Sequence, residues 1–239
     1  MAGCAIGPSD RIQLLMKILA LDTSTEYCSV ALWRDGEIDA REVLAGQRHS
    51  EMLLGMVDAM LKQHALTLRG LDGIAFGSGP GSFTGLRIAC GVTQGLAFGA
   101  ALPVVGVSTL LALAESARAA RVVCCLDARM GQVYHAAYER DGLAWSTVHA
   151  PGLSAPGEVP LLPGVSSWAG SGSGFKAHGE ALERRYAGRL SAIIADVYPH
   201  AREVALLAVP EFEQGRAVAA EAARPVYIRD KVALKSGER

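Results

Sequence analysis

The chain has 239 residues, of which 50% are hydrophobic and 20% are charged, and its formal net charge is −1. This composition supplies a core for one large domain or two small ones and excludes a disordered chain. No run of Lys and Arg exceeds two residues, so the sequence does not indicate a protein that binds nucleic acid by itself. Any role with RNA would require a partner that supplies positive charge.

The cysteines predict a reduced protein rather than a disulfide framework. Cys28, Cys90, Cys124 and Cys125 lie in apolar segments, and no CxxC pair suggests a zinc site. We therefore expect buried thiols in a cytoplasmic protein.

Two further segments bear on targeting. Residues 1–15 lack the charged and apolar regions of a signal peptide, so we expect a loose extension before folded sequence begins at Met16. Residues 88–114 carry no charge, but Pro103 and several glycines interrupt them. A spanning helix requires about 20 apolar residues in one helix, so we predict no contact with a membrane.

The first half predicts the element order βββαβαβα. Residues 17–22 form a continuous apolar strand, and the next two strands meet at Asp35-Gly36, a strong hairpin signal. Helical spacing follows, with Ser50 as the predicted N-cap. The remaining predictions are strands over 27–34, 37–44, 73–77 and 103–107, and helices over 50–64, 83–98 and 109–119.

The second half begins with the same pattern. The interval from Leu21-Asp22 to Asp35-Gly36 matches that from Leu126-Asp127 to Asp141-Gly142, with one extra residue. Chance recurrence of common dipeptides is the alternative, but similarity on this scale favours duplication. Two βββ-α units would place Asp22 and Asp127 near one cleft, as in actin-like folds. The later predictions are strands over 121–127 and 131–140, a long loop after Ala150, and helices over 174–188 and 199–212.

The stretch SGPGSFTG over 78–85 has two interpretations. Glycine turns before a helix can bind phosphate, but the P-loop pattern fails because no lysine follows Gly85. The pattern GxGxxG fails because position 82 is serine. The alternative is a turn that allows close packing, with Ser82 or Thr84 capping the following helix.

Two helices carry more apolar or glycine surface than a one-sided surface helix requires. Glycines recur every four residues on the second helix, and each costs about 1 kcal/mol relative to alanine. Methionines widen the apolar arc of the first helix and suit adaptable contacts. Burial within the chain is the alternative for the first helix alone, but both helices together favour a partner surface. The predicted surface comprises Met52, Leu53, Met56, Met60, Arg87, Gly91, Gly95 and Gly99.

No motif for metal or nucleophilic catalysis is present in the sequence. The six histidines contain no pair with the spacing of HExxH, and no local signature supports a Cys-His nucleophile. We predict neither catalytic nor metal-binding residues.

Four segments resemble the bacterial TsaB (YeaZ) family: MKILALDTSTEYCSVAL, SGPGSFTGLRIACGVTQGLAFGAALPVVGVSTL, LDARMGQVYHAAY and PVYIRDKVA. The resemblance runs from Met16 to Ala233 and is weakest over 150–195. It implies a duplicated actin-like (ASKHA, RNase H-like) α/β fold with mixed sheets. The first subdomain, 16–118, would carry the partner interface, and 119–239 would form a degenerate second subdomain with a C-terminal tail.

The resemblance also implies a non-catalytic role. With the paralogue TsaD and the ATPase TsaE, the family serves to transfer threonylcarbamoyl to N6 of adenosine 37 in tRNAs that read ANN codons. It implies pairing with TsaD, or with a second copy, and contact with tRNA only through the complex. It implies no cofactor of its own, with any nucleotide at the junction with TsaD. TsaD-like chains carry an HxxxH metal pair where this sequence has Thr109 and Leu113, which cannot replace imidazole ligands.

The competing hypothesis is an ATP-dependent phosphotransferase or ATPase of the same fold. Such enzymes begin with a DxGT-like phosphate turn, in which glycine allows the phosphate to approach closely. Residues 22–25 of this chain read DTST and lack that glycine. Asp22 and Asp127 could still hold hydrated magnesium, and with Ser82 they are the candidate cofactor-binding residues. A free-standing binding module is the third class.

Overall fold

Two five-stranded mixed sheets form the architecture in the computed structural model, which describes residues 16–142, 144–165 and 167–229. The predicted extension over 1–15 and the end of the tail beyond residue 229 lie outside the described residues.

The strands and helices of the first half confirm the predicted order. They are β1 (Lys17–Asp22), β2 (Tyr27–Arg34), β3 (Glu37–Leu44), α1 (His49–Gln63), β4 (Gly73–Gly79), α2 (Phe83–Ala100), β5 (Val104–Ser108) and α3 (Thr109–Ser116). The second half comprises β6 (Arg121–Asp127), β7 (Val133–Asp141), β8 (Ala144–Ser154), β9 (Trp168–Ser171), α4 (Ser173–Arg185), β10 (Leu190–Ile194) and α5 (Ala201–Glu213). Short 3₁₀ helices cover Leu68–Gly70, Pro156–Glu158 and Ala220–Ala222.

The two sheets repeat one topology. Their strand orders are β3-β2-β1-β4-β5 and, in the matching direction, β8-β7-β6-β9-β10. In each sheet the first strand pairs antiparallel with the second and parallel with the fourth. Asp22 and Asp127 therefore end equivalent strands, and the predicted duplication is confirmed. The second half has no counterpart of α1 within its described residues; the short helix Pro156–Glu158 occupies that place in the chain.

The helices tie the two halves together. Helices α1 and α2 contact the first sheet, while α5, which follows β10 in the chain, also contacts β1, β2, β4 and β5. Conversely, α3 contacts β6 and β7 of the second sheet. The small residues Ala201, Ala205 and Ala208 let α5 lie closely against the first sheet and are fully buried there. Dividing the chain after residue 118 therefore separates the strands of the two sheets. It does not separate the helices in the same way, because α5 follows residue 118 in the chain but packs on the first sheet.

Two local predictions about helix starts have different outcomes. Ser82 does cap α2, since its hydroxyl accepts from the Gly85 N–H at 3.3 Å. The prediction of Ser50 as the cap of α1 is wrong, because α1 begins at His49 without a side-chain cap. Instead, the buried His49 ring lies 2.9 Å from the Thr25 carbonyl oxygen, which ties the start of α1 to the first sheet.

The loop predicted after Ala150 begins only after Ser154 in the structure, because β8 continues through Pro151 to that residue. A proline is compatible with this strand because β8 lies at the edge of its sheet, where one side needs no hydrogen bonds.

The uncharged run 88–114 divides into α2, β5 and α3. Among residues 16–142, 144–165 and 167–229, no helix is long and apolar enough to cross a membrane. The four cysteines in these ranges are buried free thiols. Burial raises the pKa of Cys28 to about 11, which makes this thiol unreactive near neutral pH.

Candidate functional site

The glycine turn between β4 and α2 packs against the backbone between β1 and β2. A Cβ atom added to Gly81 would lie 2.5 Å from the Ser24 carbonyl oxygen, and one added to Gly85 would lie 1.9 Å from that of Thr23. The Ser82 N–H donates to the Ser24 carbonyl at 2.8 Å, and the Thr23 hydroxyl donates to the Gly85 carbonyl at 2.7 Å. The space in front of this turn is therefore filled by the chain itself, which supports close packing over phosphate binding.

The Asp22 carboxyl group is enclosed within this contact and is only 1% exposed. Its Oδ1 accepts from the N–H and the hydroxyl of Ser24 at 3.0 and 2.8 Å. Its Oδ2 has no hydrogen-bond partner among the described residues. Burial, chiefly, raises the pKa of Asp22 to about 7. A hydrated magnesium ion would reach this carboxylate only if the surrounding turns moved apart.

The other two candidate cofactor residues are more accessible. The Asp127 carboxylate accepts from the Arg129 N–H at 3.0 Å, pairs with the Arg129 guanidinium at 3.1 Å and lies 3.4 Å from His178 Nε2. Ser82 is exposed and engaged as the helix cap. Within the described ranges, no hydrogen bond or ion pair joins Asp22, Ser82 and Asp127 to one another, and their role in binding a cofactor stays a prediction.

The two positions that replace the HxxxH pair belong to the core. Thr109 and Leu113 are both fully buried on α3. The Thr109 hydroxyl donates to the Pro80 carbonyl, and Leu113 packs with the apolar residues of the second sheet. In the part of the chain that the structure describes, no group of three or more His, Cys, Asp or Glu side chains could hold a metal ion.

Helix α2 presents a bare glycine ridge to solvent. Gly91, Gly95 and Gly99 are exposed, and a Cβ atom added to any of them would have nothing within 4 Å. Phe98 lies beside this ridge and is 75% exposed. Arg87 is the only charged residue of the helix. This face lacks both the charges of a solvated surface and the intrachain contacts of a core.

Helix α1 contributes less to this surface than the sequence predicts. Leu53 and Met60 are fully buried in the single chain, so in this structure they are not exposed to a partner as predicted. They lie on the same helical face as the buried Val57 and support the sheet instead. Met52 and Met56 are half-buried against the edge of the first core.

Two features of the surface were missed in the sequence. Leu54 is not among the predicted surface residues, yet it is 52% exposed on α1. Arg87 lies 3.8 Å above the Phe83 ring, and its Nε donates to the Tyr227 hydroxyl at 3.0 Å. Residues 83 and 227 are too far apart in the chain for any local pattern to indicate this contact.

The fold and the surface together define a duplicated actin-like α/β protein. Its glycine turn is filled by the backbone of Thr23 and Ser24, and the glycine face of α2 is exposed. The chain belongs to the TsaB (YeaZ) family. It is 40% identical over 232 residues to the tRNA threonylcarbamoyladenosine biosynthesis protein TsaB of Escherichia coli (strain K12), covering 92% of this chain and 97% of the relative. The TsaB of Haemophilus influenzae is 36% identical, with 92% and 96% covered.

Solved structures agree with this assignment. YeaZ from Pseudomonas aeruginosa superposes with a TM-score of 0.82 at 39% identity, covering 89% of this chain and 99% of that one. A second Pseudomonas aeruginosa structure, described as an uncharacterized protein with similarity to peptidase YEAZ, has a TM-score of 0.83 at 38% identity. It covers 90% of this chain and 100% of that one. The family model described as "TsaD: tRNA N6-adenosine threonylcarbamoyltransferase" matches residues 43–236.

Proposed function

We propose that this chain is a non-catalytic subunit of the complex that transfers threonylcarbamoyl to N6 of adenosine 37 in tRNAs reading ANN codons. Its role is to bind and support a TsaD-type paralogue, with a TsaE-type ATPase as the third component. The names of the relatives, which concern tRNA threonylcarbamoyladenosine biosynthesis, support the pathway. The observation that carries the subunit role is the exposed glycine ridge of α2.

The energetic cost of the ridge supports a docking role. Each of Gly91, Gly95 and Gly99 costs the helix about 1 kcal/mol relative to alanine. Each has open space where a Cβ atom would lie, so packing within the chain does not explain the glycines. A partner helix can approach a bare ridge closely, and the exposed side chain of Phe98 adds apolar surface beside it. Leu54 is a further exposed apolar side chain, on α1. The same surface would serve for a homodimer of the isolated chain.

The glycine turn supports a non-catalytic role over the alternative of a phosphotransferase or ATPase. Backbone atoms of Thr23 and Ser24 pack directly against Gly81 and Gly85, where a phosphate-binding turn would need open space. The buried Asp22 carboxyl group offers no open position to magnesium. Any nucleotide of the complex would lie at the junction with the paralogue, and tRNA would bind through the complex.

The test is co-purification of the chain with its TsaD-type paralogue. Gly95→Leu adds a side chain to the ridge and should abolish co-purification while the melting temperature stays near that of the unchanged chain. Ala177→Leu is the matched control, because it adds a similar side chain to an exposed position on α4 and should not affect pairing. If Gly95→Leu pairs with the paralogue as well as the unchanged chain does, the glycine ridge is not part of the interface. ATP turnover by the isolated chain at enzymatic rates would favour the alternative.

A further inference from the structure

Residues 224–229, here called the strap, have no regular secondary structure and contact both subdomains. On the first subdomain, the Val226 N–H donates to the Ser78 carbonyl at 2.7 Å. The Tyr227 ring lies 5.3 Å from the Phe83 ring, and its hydroxyl accepts from Arg87. This end of the strap is held by the backbone of β4 and by the first turn of α2.

Arg229 holds the other end of the strap on the turn between β6 and β7. Its guanidinium donates to the Ala128 carbonyl at 3.0 Å, to Gln132 Oε1 at 2.9 Å and to the Met130 sulfur at 2.9 Å, with a longer contact of 3.5 Å to the Arg129 carbonyl. None of these acceptors carries a negative charge. Its Nε is buried and has no partner among the described residues.

This set of contacts makes Arg229 the side chain that fastens the strap to the second subdomain. Hydrogen bonds from an ionised donor are roughly twice as strong as bonds between neutral groups. The buried Nε without an acceptor adds a cost that offsets part of this stabilisation. The second-subdomain end of the strap therefore depends on this one side chain.

The strap also forms one wall of a cavity between the subdomains. Pro80, Phe83 and Leu86 line it from the first subdomain, Tyr134 from the second, and residues 226–229 from the strap. Gly79 has a φ of +122°, and a Cβ atom there would lie 2.6 Å from the Val226 carbonyl oxygen. The strap thus lies directly on the glycine turn and covers apolar side chains.

We propose that the strap is a clamp that closes the cavity between the two subdomains, and that Arg229 is the latch that holds it closed. Loss of the latch frees the strap from the second subdomain and exposes the apolar wall without unfolding the sheets. The clamp acts within one chain, although Tyr227 of the strap contacts Arg87 of the predicted partner surface.

The test is amide hydrogen exchange of the full-length chain, with Arg229→Gln as the variant. We expect exchange in peptides over 224–229 and 128–132 to become about tenfold faster, because several hydrogen bonds are lost together. Amides of β1 and β4 should keep their wild-type rates. Binding of the dye ANS should increase, since the apolar wall becomes accessible. Val226→Ala keeps the backbone donor to Ser78 and should leave the 128–132 peptide unchanged.

Val226→Pro removes the backbone donor and tests the first-subdomain end separately. It should accelerate exchange over 224–229 while the second-subdomain turn keeps its rate. Wild-type exchange over 224–229 in Arg229→Gln would overturn the latch. Equal acceleration of β1 and β4 would overturn the clamp, because the change would then be global.

Discussion

The Asp22 carboxyl group lies directly against Gly77, so that a Cβ atom added to Gly77 would come within 1.8 Å of Asp22 Oδ2. The two residues lie on neighbouring parallel strands, β1 and β4, near the ends where the two turns meet. Glycine at position 77 is therefore required by close approach of a buried polar group rather than by a ligand.

Gly77→Ala should destabilise the fold. The added methyl group has no room beside Asp22, and overpacking of this kind costs about 1–3 kcal/mol. Gly91→Ala is the matched control, because it adds the same methyl group to open space on a helix and should stabilise by up to about 1 kcal/mol. Urea denaturation of both variants measures the free energy of unfolding. Equal effects of the two substitutions would contradict the close contact at position 77.

Asp22 should make stability depend on pH. Its pKa is raised from 3.8 to about 7 by burial, so between these values the folded chain keeps a proton that the unfolded chain releases. The stabilisation is complete below pH 3.8 and is lost as the pH rises towards 7, by up to about 1.4 kcal/mol per pH unit. Asp22→Asn should remove this slope from the free energy of unfolding measured between pH 5 and pH 8.

The control for this prediction is Asp58→Asn. The Asp58 side chain is 61% exposed and pairs only with the exposed Lys62 in the described contacts, so its substitution should leave the slope in place. A wild-type slope in Asp22→Asn would show that Asp22 is ionised in the folded chain.

Phe98→Glu should weaken the proposed homodimer of the isolated chain. Phe98 is 75% exposed beside the glycine ridge, and a carboxylate there would have to lose its hydration on association. Because the residue contributes little to the core, the free energy of unfolding should change by less than about 0.5 kcal/mol. Sedimentation velocity measures the dimer fraction. Val165→Glu, at a residue 76% exposed in the second subdomain, should leave that fraction unchanged.

The purified chain should hold no stoichiometric iron or zinc at α3. Thr109 and Leu113 are buried and offer one hydroxyl group, which already donates to Pro80. Such a set cannot replace imidazole ligands. Elemental analysis of protein purified without chelator is the measurement. One equivalent of metal that Leu113→Ala removes would contradict the prediction.

The isolated chain should bind tRNA weakly. Its net charge is −1, and non-specific affinity depends on the number of phosphates that clustered Lys and Arg neutralise. We expect a filter-binding assay at increasing salt to give low affinity and a shallow slope of log K against log salt. Tight binding that falls steeply with salt would contradict this expectation.

Local signals in the sequence predicted most of the elements. The hairpin at Asp35-Gly36, the cap at Ser82 and the repeat of Leu-Asp before each hairpin all depend on residues close together in the chain. A long-range contact can outweigh a local signal. Ser50 does not cap α1, because the His49 ring hydrogen-bonds to the carbonyl oxygens of Thr25 and Tyr27 and the helix begins at His49.

The sequence by itself determined the order of elements in the first half, the duplication and the glycine ridge, since hydrophobic periodicity and glycine spacing act within one segment. It did not predict β8, β9 and β10, which complete the second sheet. Only the tertiary structure decided that Leu53 and Met60 belong to the core, that α5 covers the first sheet, and that residues 224–229 join the two subdomains. It also decided between the two interpretations of SGPGSFTG. Glycines at these positions allow either a phosphate group or another backbone segment to approach closely. In the structure the carbonyl groups of Thr23 and Ser24 lie against the glycines, because β1 and β4 are neighbours in the sheet.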